Sequence, residues 1–421
     1  MGFRIGATME NLPDVLLSNI FIRLLAKQLA QMRCVSKSWN ALLSESSFIK
    51  SHLDRSIKNI NTDGILLLFY RLFSFGSKSF TAYPSQSPHS ELTDFIKLPI
   101  NHQSENSRGK VIGSVNGLIC FKYGSNHDFG SIHDSEIIYG SNHDPEVVCI
   151  WNPSLSSLLT LPPYYTPPYS IQHSFRFGFD PKTDDYKVVK FTRPMEKQGI
   201  MISLEEWLPI EVYSMRKGSW KSITQRLPSY LTDIFSCDTL WVDGHEGHLH
   251  WITEIDHMRN NILTVFTFDL SSETFWEMPF PKYVTDLMGY DNANEVSVEL
   301  GVLGGKLCVM SGALPDYEWE VWVMDEYGVG DSWVKHHVFP PFSGNNVIGY
   351  GFTLQNEFFI NVRGRGFALY DPVEEKTKIF KNYGENVNCG GKVVNYVDSL
   401  VWVTPAEQRE RSCCSISQFK F

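Results

Sequence analysis

Val147-Val148-Cys149-Ile150-Trp151-Asn152-Pro153-Ser154-Leu155-Ser156-Ser157-Leu158-Leu159-Thr160-Leu161 decides the fold. It reads as an apolar strand ending on an aromatic ring, a polar turn, and a second strand. Asn-Pro suits the turn: the Asn side chain accepts hydrogen bonds from the turn backbone, and Pro presets the next φ. The unit returns at residues 210–213 with 220–223, 264–268 with 275–276, 320–324 with 333–338, and 367–370 with 378–380. Its strand-end anchors, Trp151, Tyr213, Phe268, Val323 and Tyr370, recur at about 45–60 residues, the spacing of an internal repeat. Another apolar pair precedes each unit: 111–114 with 117–121, 175–179 with 186–191, 240–242 with 249–252, 298–303 with 306–310, and 347–354 with 357–362. Four strands per repeat predict blades of a β-propeller.

Outward from these repeats, residues 65–72 and 78–83 form one more candidate hairpin, and 393–396 and 400–403 are orphan strands. Pairing the two ends would close the ring and remove two exposed sheet edges. Six blades are expected, with seven as the alternative and a pair of β-sandwiches as the competing architecture. Before residue 60 the periodicity is helical. Leu12-Pro13-Asp14 suits a helix start, since Pro is tolerated in the first turn and Asp favours the dipole there. Leu16, Ile20 and Leu24 then fall on one face, beside Leu17. Residues 26–32 and 36–43 are further short helical segments, and Ser46-Ser47 offers a cap for one running through Leu53. Such short helices are marginal alone, so their apolar faces must finish burial against a partner or against the rest of the chain. The predicted organisation is a helical domain at 9–55, a propeller at 62–405 and a tail at 406–421.

Composition narrows the class. The chain of 421 residues is 43% hydrophobic and 14% aromatic, which is ample for a core. Its net charge of −10 and lack of a basic run argue against nucleic acid as a partner. The longest apolar run is far too short to span a bilayer, so no membrane partner is expected. The eight cysteines show no Cys-x-x-Cys pair, and Cys120, Cys149 and Cys308 sit in apolar runs that suit small buried thiols. These features predict a reduced intracellular protein, cytoplasmic or nuclear.

The first sixty residues carry a resemblance. Leu12-Pro13-Asp14-Val15-Leu16-Leu17, Ile22-Arg23-Leu24, Lys27 and Arg33-Cys34-Val35-Ser36-Lys37-Ser38-Trp39 resemble the F-box of plant F-box proteins. Beyond them, Gly113-Ser114-Val115-Asn116-Gly117-Leu118-Ile119-Cys120, Ile150-Trp151-Asn152-Pro153-Ser154, Phe177-Gly178-Phe179-Asp180, Asp185-Tyr186-Lys187-Val188-Val189, Glu211-Val212-Tyr213-Ser214 and Ser219-Trp220-Lys221 resemble the F-box-associated domain. That domain follows the F-box in a large plant family often labelled F-box/kelch-repeat, which includes the S-locus F-box proteins. No repeated kelch Gly-Gly doublet occurs here. The resemblance implies a substrate-recognition subunit of an SCF-type ubiquitin ligase, which docks on a Skp-family adaptor, and through it on cullin, and presents an unknown target protein. Leu12, Pro13, Leu16, Ile20, Leu24, Val35 and Trp39 match the apolar F-box positions, divided between adaptor interface and internal core. Leu25 stands where the family usually has Pro, and Ala30 departs from its Leu-Leu-Arg-Phe pattern.

No cofactor, metal or catalytic residue is expected. His245, His248 and His250 form the densest ligand cluster, with His248 and His250 on one strand face, but a metal site needs three or four converging ligands. Gly124-Ser125-Asn126-His127-Asp128 is duplicated at 140–144 inside a hairpin and reads as a solvated loop. Residues 161–169, rich in Pro and Tyr, read as a connection between blades. No Walker loop, G-x-G-x-x-G, H-E-x-x-H or G-x-S-x-G is present, so nothing marks an enzyme. The alternatives are a propeller that binds proteins independently of a ligase, or a propeller enzyme or small-ligand binder.

Overall fold

The computed structural model describes residues 12–63, 65–69, 80–84, 93–94, 99, 108–124, 146–165, 171–194, 209–225, 227–228, 231–234, 246–257, 260–288, 296–313, 318–339, 347–353, 356–362, 366–379 and 392–403. Four helices come first: α1 (Asp14–Phe21), α2 (Ala26–Met32), α3 (Lys37–Ser44) and α4 (Ser46–Asp63). The fourth extends past the expected end of the helical segment and stops one residue short of β1 (Ile65–Phe69).

A β-propeller follows. Among the described residues it comprises six four-stranded antiparallel sheets. Five are runs of consecutive strands: β4 (Arg108–Val115), β5 (Leu118–Gly124), β6 (Val147–Asn152), β7 (Ser157–Thr160); β8 (Ile171–Asp180), β9 (Asp185–Pro194), β10 (Glu211–Ser214), β11 (Ser219–Ser222); β12 (Leu231–Ile234), β13 (His248–His257), β14 (Asn260–Asp269), β15 (Thr274–Pro279); β16 (Val296–Leu303), β17 (Lys306–Ala313), β18 (Glu318–Met324), β19 (Trp333–Phe339); and β20 (Val347–Phe352), β21 (Phe358–Val362), β22 (Gly366–Asp371), β23 (Lys376–Ile379). The remaining sheet joins the chain ends. β24 (Lys392–Tyr396) pairs with β1, which pairs with β2 (Phe80–Pro84) and β3 (Thr93–Asp94). Ile65 lies opposite Tyr396 and Phe69 opposite Lys392, so the sheet closes by the pairing expected from the orphan strands.

The repeated turns work as their residue types require. Asn152, Asp180, Asp269 and Asp371 each accept two backbone N–H bonds through one side-chain oxygen, from the residues two and three positions on. Each turn then passes through a residue at positive φ: Ser156, Asp184, Glu273 and Glu375. The side chain replaces the backbone bonds that the sharp reversal gives up. Val115-Asn116-Gly117-Leu118 is a two-residue hairpin with φ 53° at Asn116 and 80° at Gly117, the primed geometry that matches strand twist. The strand-end rings pack within and between blades: Tyr213 against Trp220 and Phe268 against Phe275 across neighbouring strands of one blade, and Phe339 against Phe358 and Tyr370 of the next. Cys120, Cys149 and Cys308 are buried free thiols, and burial pushes the Cys149 thiol up to about 11.

Two expectations change. Residues 400–403 are not a strand; they run as an extended coil buried against the β4–β7 sheet. β12 pairs with residues 253–255 of β13, and the strand expected at 240–242 lies outside the described residues. A helix not foreseen, α5 (Lys282–Met288), sits between β15 and β16. Its segment buries Val284 in the adjoining blade core, an anchor that too short a period conceals.

The two faces of the propeller differ. Gly117 lies against Val397, Gly247 against Pro181, and Gly301 near Phe352. On the face carrying Gly117, Leu155 and Val397 several connections are short, as from Val115 to Leu118, Asn152 to Ser157, Leu303 to Lys306 and Asp371 to Lys376, while the one from Ile234 to His248 is longer. At the other face the connections from Gly124 to Val147, Pro194 to Glu211 and Ile379 to Lys392 are long, and those from His257 to Asn260 and Val362 to Gly366 are short.

Candidate functional site: the exposed face of the helical module

Leu17, Phe21, Ala26, Leu29, Trp39, Leu43 and Phe48 form one buried cluster, completed by Leu155 and Leu400 of the propeller. Trp39 meets Phe21 edge-on at 5.0 Å. Because the inner faces of α1 to α3 are covered by the chain itself, what stays outside is informative. Val15 is 72% exposed, Leu16 49%, Ile20 41%, Leu25 61% and Val35 63%. Leu16 and Ile20 are one turn apart on α1, on the flank beside the buried Leu17 and Phe21. Pro13 is exposed at the α1 N-cap, where its φ of −56° suits the ring. Exposed aliphatic side chains occur on the propeller too, among them Leu158, Val334 and Val373, but they are denser along this short module.

The seven matched positions therefore separate. Pro13, Leu16, Ile20 and Val35 are exposed. Leu12 and Leu24 are half-buried against the cluster, and Trp39 is within it. The Arg33–Trp39 motif divides similarly. Arg33 holds α3 through Asn40 Oδ1 at 3.0 Å and Ser44 Oγ at 2.7 Å. Ser36 caps α3 by accepting from the Trp39 N–H. Between them, Cys34 and Val35 face outward. Val15 joins the exposed face without having been singled out, since its neighbours Leu16 and Leu17 carry the same apolar signal. Leu25 replaces a proline at an N-cap whose φ, −68°, would accept one, and its N–H donates to Gln28 Oε1 at 3.1 Å. Ala30 is half-buried against the cluster.

The structure places part of the propeller's candidate chemistry. The rings of His248 and His250 lie 6.4 Å apart. His250 Nε2 is 2.7 Å from the Tyr327 hydroxyl, and His248 Nε2 is 3.7 Å from Asp269. His245 and the duplicated segments at 124–128 and 140–144 lie outside the described residues, apart from Gly124. Among the described residues no group of three or more His, Cys, Asp or Glu could hold a metal ion, and no helix is long and apolar enough to cross a membrane. The Pro-Tyr segment, described through Tyr165, is clamped between blades. Tyr164 donates to Glu146 at 2.7 Å, the Pro162 carbonyl accepts from Trp220 Nε1 at 2.8 Å, and the Tyr165 carbonyl accepts from the buried Lys190 at 2.6 Å. Burial pulls the Lys190 ammonium below the usual lysine range, opposed by Glu211 at 2.5 Å.

The comparisons agree with this arrangement. The F-box domain profile matches residues 9–51, and the profile described as the F-box associated beta propeller domain matches residues 67–363. Among the similar proteins, F-box protein CPR1 of Arabidopsis thaliana is 28% identical over 78% of this chain and 72% of its own length. F-box protein At4g22390 and F-box/kelch-repeat protein At3g23880, of the same plant, are 26% and 25% identical over 79% and 77% of this chain, and 75% and 79% of their own lengths. An F-box implies binding to a Skp-family adaptor, and with the propeller it supports a substrate-adaptor role in general. The chain belongs to the F-box proteins whose helical N-terminal module is followed by an F-box-associated β-propeller.

Proposed function

We propose that this protein is the target-recognition subunit of an SCF-type ubiquitin ligase, that it contacts the Skp-family adaptor through Pro13, Val15, Leu16, Ile20 and Val35, and that it acts in the cytoplasm or nucleus. The observation that carries the reading is the exposed aliphatic face on a module whose core is otherwise satisfied by the chain itself. Leu12, Leu24 and Trp39 support that face from beneath. The target occupies the propeller face opposite the helices, because the near face is covered in part by them at Leu155 and Val397. The chain performs no bond chemistry. It holds a target lysine near a ubiquitin-charged enzyme delivered through cullin, so the contribution to rate is effective concentration and orientation.

The test is capture of a purified plant Skp-family adaptor by wild type and by a Leu16→Asp, Ile20→Asp double variant. Both positions are exposed, so melting should move little, while capture should fall by about tenfold or more, as for central apolar contacts of an interface. Equal capture by the two proteins would refute the assignment of this face and would favour a protein-binding propeller independent of the ligase.

A further inference from the structure

The last described segment, residues 397–403, has two sides. Asp398, Leu400 and Trp402 face the helices. Leu400 completes the cluster of Leu17, Phe21 and Trp39, and the Arg33 guanidinium lies 5.1 Å from the centre of the Trp402 ring. Ser399, Val401 and Val403 face the β4–β7 sheet. Ser399 N–H donates to Ser154 Oγ at 3.1 Å. The carbonyls of Ser399 and Val401 accept from the Asn152 amide at 2.9 and 2.8 Å, and Val403 enters the blade core. This alternation is that of an extended chain with different neighbours on each side.

Asp398 makes the sharpest contact. Its Oδ2 accepts from the N–H of Ala26, the first residue of α2, at 2.7 Å. The local N-cap is Leu25, whose side chain has no acceptor. A carboxylate 372 residues further along the chain supplies what that position lacks. The same oxygen lies 3.9 Å from His52 Nε2, which is 2.9 Å from the Leu24 carbonyl. Val397 packs on Leu53 of α4. The junction is bracketed as well, because α4 ends at Asp63, β1 begins at Ile65, and Ile65 lies opposite Tyr396, the residue just before the segment.

We infer that residues 397–403 are a positioning strap that completes the core of the helical module and fixes its orientation on the propeller, with Asp398 as the latch. Helices of seven or eight residues do not hold themselves in water, and here the missing cover comes from the far end of the chain. The module is thus not an independent bead on a tether. The strap lies beyond the 67–363 stretch matched by the propeller profile. Only one consequence, a fixed direction for the adaptor face, rests on the proposed function.

The test uses the full chain and four proteins: wild type, Asp398→Ala, Asp398→Asn and Leu400→Ala. Hydrogen exchange should rise by about tenfold or more in α1 to α3 for both alanine variants, while β8 to β11 stay protected. Asp398→Asn should stay near wild type, since its side-chain oxygen still accepts from Ala26. Small-angle scattering should show a larger radius of gyration for the alanine variants alone. Wild-type protection of α1 to α3 with an unchanged radius of gyration would overturn the inference, as would loss of protection spread equally over the blades. If Leu400→Ala does not fold, the Asp398→Ala and Asp398→Asn comparison decides. No arm uses the adaptor, so the strap and the adaptor face fail separately.

Discussion

Asn152 is fully buried and uses all of its amide. Its Oδ1 accepts from the Ser154 and Leu155 N–H groups at 2.9 and 3.3 Å, and its Nδ2 donates to the Ser399 and Val401 carbonyls. Two substitutions take these halves apart. Asn152→Ala orphans two N–H groups and two carbonyls. At about 1–3 kcal/mol per buried orphan, with the half-buried Val401 counting least, we expect a loss of about 3–4 kcal/mol. Asn152→Asp keeps the turn bonds but aims a buried carboxylate at two carbonyls, so it should cost about 3 kcal/mol or more despite its identical shape. The assay is urea unfolding followed by tryptophan fluorescence, where such a loss lowers the midpoint by about 1 M for a slope near 3 kcal/mol/M. An Asn152→Asp midpoint equal to wild type, with Asn152→Ala lowered, would mean that only the turn matters and would refute the coupling of this side chain to residues 399–401.

Other outcomes can be checked in the same assay. Gly117→Ala would place a Cβ 2.3 Å from the Val397 oxygen at φ 80°, and should cost about 3 kcal/mol. Gly304→Ala, at φ 57° with nothing within 4 Å, should cost only about 1 kcal/mol of backbone strain. A smaller loss at Gly117 than at Gly304 would contradict the close approach. Lys190→Met leaves Glu211 buried without its partner and should cost about 3 kcal/mol; adding Glu211→Leu should recover most of it, and an additive double variant would argue against the pairing. Burial raises the Asp180 carboxyl, but hydrogen bonds from Thr183 and Lys187 outweigh it and hold the group below the usual carboxylate range. That contribution is present above the unfolded carboxylate value and is lost as pH falls through the folded one. The midpoint gap between wild type and Asp180→Asn should therefore narrow from about pH 5 toward pH 3. A gap that widens would reverse the sign.

Much of the propeller was legible because its signals are local. Asn152, Asp180, Asp269 and Asp371 announce their turns through their own side chains, and strand-end rings such as Tyr213 and Phe268 repeat at blade spacing. What was missed is non-local or short. Thr93–Asp94 pairs over two residues, too few for any periodicity to show. Residues 400–403 alternate as a strand would, yet they find side chains and Asn152 rather than a neighbouring strand. In the helical module, sequence marks Leu16, Leu17 and Trp39 alike as apolar, because hydrophobicity says that a side chain avoids water and not which surface will cover it.

By itself the sequence determined the order of helices then blades, the turn chemistry, and the motif from Arg33 to Trp39 that identifies the family. Tertiary structure alone decided which apolar residues remain outside. Leu400, Trp402 and Leu155 cover the inner faces of α1 to α3, and this leaves Val15, Leu16, Ile20 and Val35 exposed. The reason is physical: burial belongs to pairs of surfaces, and one surface of this pair arrives from the opposite end of the chain.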